Sequence, residues 1–550
     1  MKKKTFIIIL SFFFSISFIK ANTSDSLKTH KINKTEIKQK TLGEKINDSF
    51  VPLVNVMDKI LFWDPFAALR IYDPIIKDEH GNIILDKNGN PKKKRIPLIV
   101  FWLILGATIF TIYFKFINIK GFKHSIELIS GKYDDPNDKG EVSHFQALTT
   151  ALSATVGLGN IAGVAIAITL GGPGATFWMI IAGFLGMTSK FLECTLGLKY
   201  RKIDKNGEVA GGPMFYLRDG LKKYKLGRLG KILSVLFALL VIGGSFGGGN
   251  MFQANQSFAQ IKMLVPSVSG YGAYYGIIVA ILVGIVVIGG IKSIANVTDK
   301  IVPFMAALYV TAALVILFIN IGHIGEAFKL IIDGAFSPEA IKGGIIGVMI
   351  VGFQRAAFSN EAGIGSASIA HSAAKTPYPV SEGIVALLEP FIDTIVICTM
   401  TALVIIITGY YQPQLAAGMN GSQLTSLAFQ SVFPWFPYIL MIAVFLFAFS
   451  TMISWSYYGL NGFRFLFEKP LLKIFKSKRA VKNTYYAMFL IFIVVGSSSN
   501  LGAVMDFSDM MIFAMAFPNV LGLLILAPEV KKDLNDYLNK LKNGEIKKYK

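Results

Sequence analysis

Cysteine is nearly missing from this chain: Cys194 and Cys398 are the only two among 550 residues. Both fall in apolar stretches, so neither a disulfide framework nor a zinc-ligand spacing is available. Charge is scarce too. Asp, Glu, Lys and Arg make up 16% of the residues, against about 25% in ordinary soluble proteins. No phosphate-cradling glycine loop is present, which excludes ATP as a direct energy source. No nucleophile–base pair, carboxylate pair or metal cluster is patterned, and His371, like the other five histidines, has no partner at motif spacing. These absences exclude the common enzyme classes. The charge that remains is mostly positive, +21 overall. Lys and Arg kept in the cytoplasmic loops of a membrane protein account for it, and no nucleic-acid partner is expected.

What the chain has is apolar length. It is 53% hydrophobic, with mean hydropathy +0.54 and 44 Phe. Runs of about 20 apolar residues, enough for a membrane-crossing helix, recur from residue 97 to about residue 527. They predict an all-α polytopic membrane protein with eleven spans: 97–118, 144–170, 173–199, 230–260, 272–291, 298–321, 342–372, 382–409, 435–464, 482–498 and 504–527. Basic residues fix the orientation. The loops holding Lys199–Arg228 and Lys469–Lys482 belong in the cytoplasm, whereas 411–434 and 499–503 carry no Lys or Arg and fall outside. The N-terminus is then exported and the C-terminus cytoplasmic. Residues 1–21 read as a signal peptide, with an uncleaved anchor as the alternative. Residues 22–96 form an extracytoplasmic extension with an amphipathic piece and a hairpin-like insert at 72–95. The tail 528–550 is basic and expected at headgroups or in solvent.

Two spans are interrupted. LTTALSATVGLGNIAGVAIAITLGGPG (148–174) breaks at Gly157, Gly159 and Asn160; GVMIVGFQRAAFSNEAGIGSASIAHSA (347–373) breaks around Phe358–Gly365. An unwound backbone in lipid exposes amides and carbonyls that each cost several kcal/mol unless something polar meets them. Such breaks at membrane depth bind ions or small polar solutes. With the first span set aside, ten remain. They divide into two fives (144–321 and 342–527), each led by a broken span of opposite direction, which is the plan of an inverted repeat.

The outer arm of the first break starts with free amides near Leu158, Gly159 and Asn160, a helix N-terminus suited to a carboxylate. The competing reading makes Gly157, Gly159 and Gly163 a packing face. At the second break, Phe358, Ser359, Asn360, Glu361 and Gly363 form a polar turn whose carbonyls suit an ammonium group, with Phe358 as a cap against water. Glu361 is assigned a structural role, neutralised by Arg355, Lys375 or backbone amides. Ser450, Thr451 and Ser454 supply hydroxyls for a sodium ion, or bond back to their own helix. Asn250, Gln253 and Gln256 lie within two turns of one helix, and one of them is placed to meet solute.

ATVGLGNIAGVA with GGPGATFWM, GGPMFYLRDG (211–220), QRAAFSNEAGIGSASIAHSA (354–373) and STMISWSYYG (450–459) together resemble the signatures of the sodium:alanine symporter family, also called the alanine or glycine:cation symporters. The resemblance covers roughly residues 97–530. It implies a LeuT-type 5+5 inverted-repeat fold of the amino acid–polyamine–organocation superfamily, here preceded by one extra helix. It places substrate carboxylate at the Leu158 and Gly159 amides, and the amino group near the Thr155 carbonyl and the Phe358–Ser359 break. It places sodium between the Ser153 and Val156 carbonyls and the Ser450 and Thr451 hydroxyls, with Asn160 steadying the unwound turn. Leu158, and Leu460 after the YYG, depart from the residues frequent in the family.

The expected function is import of a small neutral amino acid, alanine and also glycine, with sodium as coupling ion and no organic cofactor. The expected setting is a bacterial inner membrane, with the protein acting as a monomer. The alternatives are a proton-coupled or larger-substrate transporter of the same fold, and a non-transporting sensor.

Overall fold

A computed structural model describes residues 63–549, apart from 71–72, 76–81, 84, 86–90, 92–95, 338–343, 417–418 and 420. The expected signal peptide, the polar linker, most of the amphipathic piece and much of the 72–95 insert lie outside the described residues. Within the insert, an antiparallel bridge joins Leu85 to Pro91.

Helices occupy each of the apolar stretches. They are α1 (Leu98–Tyr113), α2 (His144–Thr155), α3 (Val164–Gly171), α4 (Ala175–Lys199), α5 (Gly227–Leu264), α6 (Gly272–Val287) and α7 (Gly290–Ile319). They continue as α8 (Gly344–Asn360), α9 (Ala367–His371), α10 (Pro379–Ile407), α11 (Phe436–Phe475), α12 (Lys478–Ser498) and α13 (Leu501–Lys542). Among the described residues, seven helices are long and apolar enough to cross a membrane, or eight when the bent α2–α3 pair is counted as one. The molecule is an all-α, multi-pass membrane protein.

Several helices run past the apolar stretches. α11 continues to Phe475 and α13 to Lys542, because Lys, Glu and Leu are good helix formers in water as well as in lipid. Hydropathy marks the bilayer, whereas helix ends are set by capping and propensity. The tail also differs from the expectation of a free basic segment. Tyr549 donates its amide to the Lys132 carbonyl at 2.8 Å and its hydroxyl to Asp135 at 2.7 Å. Leu534, Tyr537 and Ile546 of the same tail are buried.

Close backbone approach organises the interior. α4 is packed by α8 on one side and α10 on another. A Cβ on Gly352 would fall 2.6 Å from the Ala175 carbonyl, and one on Gly383 would fall 2.6 Å from the Phe191 carbonyl. Small residues let helices touch where lipid supplies no hydrophobic drive for association. Ile278, Ile281 and Ile285 of α6 stay exposed on the outer surface, where acyl chains replace water.

Both interruptions are real breaks. α2 ends where Val156 leaves helical geometry, and the chain resumes as a π-helical turn, Gly159–Gly163, at a bend of 49°. π-turns inside helices commonly mark functional sites. Between α8 and α9 the chain turns through Glu361, Gly363 and Gly365, all at positive φ. Glycine suits that geometry, and a glutamate there is unusual.

Candidate functional site

The two breaks meet. A Cβ on Gly159 would lie 3.1 Å from both Cα and Oγ of Ser359, so glycine lets the two breaks approach this closely without displacing Ser359. A Cβ on Gly157 would lie 2.5 Å from the Thr451 hydroxyl of α11. Gly163, by contrast, has nothing within 4 Å of where its Cβ would be. The glycines therefore admit close neighbours at the break itself, and the 159–163 pair is no packing face.

Asn160 steadies the unwound turn from both ends of its amide. Its Oδ1 accepts from the Gly157 amide at 2.9 Å, and its Nδ2 donates to the Asp393 carbonyl at 2.9 Å and carboxylate at 2.6 Å. Asp393 also accepts from Ser359 Oγ at 2.9 Å and Thr394 Oγ1 at 2.7 Å. One fully buried carboxylate on α10, within a π-helical stretch, thus ties both broken helices together. The sequence reading overlooked Asp393. The signal was available, since an acidic residue inside an apolar span is expensive and commonly functional.

The Leu158 amide donates to Gln253 Oε1 at 3.3 Å, and Gln253 Nε2 donates to the Gly248 carbonyl at 2.9 Å. Of the three α5 amides considered, Gln253 is the one at the break; Asn250 bonds the Phe489 carbonyl and Gln256 bonds Ser422. The Gly159 amide opens the outer arm, where no preceding helical carbonyl is positioned to accept it. A carboxylate placed here finds the Gly159 amide and competes with one neutral Gln oxygen for Leu158. Phe358 stands beside this gap, edge-on to Phe252 with centroids 5.2 Å apart. The Thr155 hydroxyl bonds back to Ala151 at 3.2 Å, leaving its place at the end of α2 as its contribution.

Two predicted residues point elsewhere. Asn360 donates to Thr394 Oγ1 and accepts from the Ala362 amide. Gly363 gives its carbonyl to Asn519 of α13 and packs toward Leu103 of α1. Both shape the second turn from its far side, toward α10, α13 and α1. Glu361 has the structural role expected of it, through partners the sequence did not indicate: it accepts from Trp455 Nε1 at 2.9 Å and from Ser366. Arg355 pairs with Asp509 of α13, which also accepts from Gln354 at 3.1 Å.

Oxygens gather where α2 meets α11. Ser153 donates its hydroxyl to the Ser450 carbonyl at 2.7 Å, Thr451 donates to the Ser153 carbonyl at 2.9 Å, and Ser454 donates to Ser153 Oγ at 3.0 Å. The Ser450 hydroxyl does not take part; it bonds back to the Phe447 carbonyl at 3.0 Å. Ser450 therefore brings its carbonyl rather than its hydroxyl, and Ser454 supplies a further hydroxyl. Val156, one turn on, ends the same helix. Neutral hard oxygens on two converging helices are a donor set for a monovalent hard cation.

Residues 83–550 match the profile of the sodium:alanine symporter family. This chain belongs to that family. It is 41% identical over 450 residues to the sodium/alanine symporter AgcS of Methanococcus maripaludis, covering 81% of this chain and 95% of that one. It is 33% identical over 450 residues to the probable sodium/glutamine symporter GlnT of Bacillus subtilis, covering 82% and 89%. Among solved structures it is similar to MhsT in complex with L-phenylalanine, with TM-score 0.44, 14% identity, and 70% and 98% coverage. The sodium:alanine symporter family carries alanine and related small amino acids with sodium as coupling ion. It is a transporter family, not an enzyme family.

Arg355, the cation nearest the second break in sequence, is already paired with Asp509. Glutamate is expected to be carried no faster than background in a radiolabel uptake assay. Glutamate uptake matching alanine would mean that Arg355 leaves Asp509 for the substrate.

Proposed function

We propose that this chain imports alanine, and glycine with it, together with sodium across a cytoplasmic membrane of bacterial type by alternating access. The amino acid carboxylate sits at the Leu158 and Gly159 amides, its ammonium faces the carbonyl ends at Thr155 and Phe358–Ser359, and Gln253 and Phe358 border the side chain. Sodium is held by the Ser153 and Val156 carbonyls, the Ser450 carbonyl and the Thr451 hydroxyl, with Ser454 alongside. The observation that carries this reading is the contact of the two breaks at Gly159 and Ser359, one turn from the oxygen cluster of α2 and α11.

The architecture proposed with it is eleven spans in a LeuT-type inverted repeat, 144–321 and 342–527, after one extra helix at 97–118. The N-terminal extension lies outside, the C-terminus in the cytoplasm, and the transporting unit is the monomer. The basic loops support this orientation.

Moving one positive charge inward gains about 2.3 kcal/mol per 100 mV, so uptake of a zwitterion with one sodium is electrogenic. In proteoliposomes, alanine accumulation is expected to need external sodium and to rise when the interior is made negative. Full uptake in choline driven by a proton gradient alone would overturn the assignment. Because one relative is named for glutamine, a panel of glycine, alanine, serine, glutamine and leucine reads the substrate size directly.

A further inference from the structure

His371 ends α9 with both ring nitrogens against carboxyl groups. Nδ1 lies 2.5 Å from Glu382 Oε1, and Nε2 meets Glu389 Oε1. A neutral imidazole carries one N–H and a carboxylate carries none. Two hydrogen bonds from one ring to two carboxyl groups therefore need one proton more than a neutral histidine and two carboxylates possess. The proton is required wherever among the three groups it resides.

The chain of contacts extends in both directions. Glu382 Oε2 meets His144 Nδ1, and His144 Nε2 lies 3.9 Å from Asp134 Oδ1. Glu389 Oε2 pairs with the Lys190 ammonium at 2.9 Å. The inner members are fully buried, whereas Asp134 is 38% exposed. A cavity of about 280 Å³, lined by Asp138, His144, Tyr378, Tyr537 and Tyr549 among others, opens at the His144 end. Groups able to hold or pass a proton thus run from a solvent-reached cavity into the middle of α4.

The surrounding charges favour an added proton. Glu193 lies one turn from Lys190 on α4 and holds Asn519 at 3.0 Å; Cys194 Sγ is within 4.8 Å of the His371 and Glu389 atoms. The Arg201 guanidinium is turned to the Ser372 and Ala374 carbonyls. Lys190 balances one of these buried carboxylates, and an added proton offsets part of the negative charge left over. Buried charges persist only when paired.

We propose that Glu382, His371 and Glu389 form a proton-binding site, and that its proton fastens the end of the molecule where α2, α4, α9 and α10 converge. α9 cannot part from α10 without separating His371 from Glu382 and Glu389, and His144 of α2 and Lys190 of α4 are held to the same two carboxyl groups. On opening, the proton passes by His144 to water in the cavity; on closing, one returns. Coupling of this kind is reciprocal: whatever opens this end expels a proton, and a supply of protons opposes opening. The inference rests on the proposed transport reading only for what passes through the opened end.

Hydrogen exchange tests it in the purified full chain in nanodiscs, without substrate. Protection over residues 364–390, corrected for intrinsic exchange, is measured from about pH 6 to about pH 9. It is expected to fall by up to about tenfold per pH unit, the slope of a one-proton linkage, while α6 keeps its protection. Glu389→Gln gives His371 a permanent N–H donor, so its profile should be flat with this end closed; His371→Gln should also lose the slope. A flat wild-type profile overturns the proposal whether or not either variant folds, as does an unchanged slope in a folded variant. Sodium-driven alanine uptake measured in parallel separates the readings, since its absence would remove the transport assignment and leave the exchange profile standing.

Discussion

Replacing Gly159 by valine is expected to abolish amino acid uptake while the protein still inserts and folds. A Cβ here already comes within 3.2 Å of three Ser359 atoms, so alanine is at the limit of what the neighbour concedes. Valine adds two methyl groups where the broken helices meet, at the amide proposed to hold the substrate carboxylate. The packing cost of such an insertion is about 1–3 kcal/mol, which a large helical protein tolerates. With the proposed carboxylate position obstructed, uptake should fall by more than about 100-fold. Radiolabelled alanine uptake, normalised to the amount of protein in the membrane, reads the effect. Gly163→Ala is the internal comparison: its new methyl meets nothing within 4 Å, and uptake should persist. Uptake at the wild-type rate in Gly159→Val would move the binding gap elsewhere.

The second large effect separates three hydroxyls on one helix. Thr451→Ala removes the oxygen that reaches the Ser153 carbonyl and is expected to raise the sodium needed for half-maximal uptake at least tenfold. A polar contact of about 1.4 kcal/mol accounts for a factor of about ten. Ser454→Ala should act in the same direction more weakly, through Ser153 Oγ. Ser450→Ala should change little, because that hydroxyl meets the Phe447 carbonyl of its own helix and Met305 of α7, and the contributing atom is the main-chain carbonyl. The doubly substituted protein should then behave as Thr451→Ala alone. A large effect from Ser450→Ala with none from Thr451→Ala would reverse the placement of the ion.

The broken helices were legible because glycine, asparagine and glutamate interrupt apolar runs that lipid would otherwise keep uniform. The meeting of Gly159 with Ser359 was legible only in part, through the opposed directions of two similar breaks. The partners of Asn160 were not. Asp393 lies 233 positions away, and no local period connects residues whose contact depends on how helices are stacked. The same holds for His371, which has no neighbour at motif spacing yet touches Glu382 and Glu389, two turns apart on a different helix. An inventory of ionisable residues inside apolar spans would have singled out Lys190, Glu193, Glu389 and Asp393. Which atom of Ser450 meets α2 is a matter of rotamer and helix rotation, and composition carries no trace of either.

Asp393 also bears on how the chain is assembled. The Asn160 amide group and the Ser359 hydroxyl are both made before the carboxylate they bond, which lies in a helix translated after them. Until α10 enters the bilayer, the helices made before it hold polar groups that they leave unmet themselves. A nascent chain ending before residue 393 should therefore remain loosely associated and open to membrane proteases. The arrival of one aspartate then closes the unit around both breaks at once.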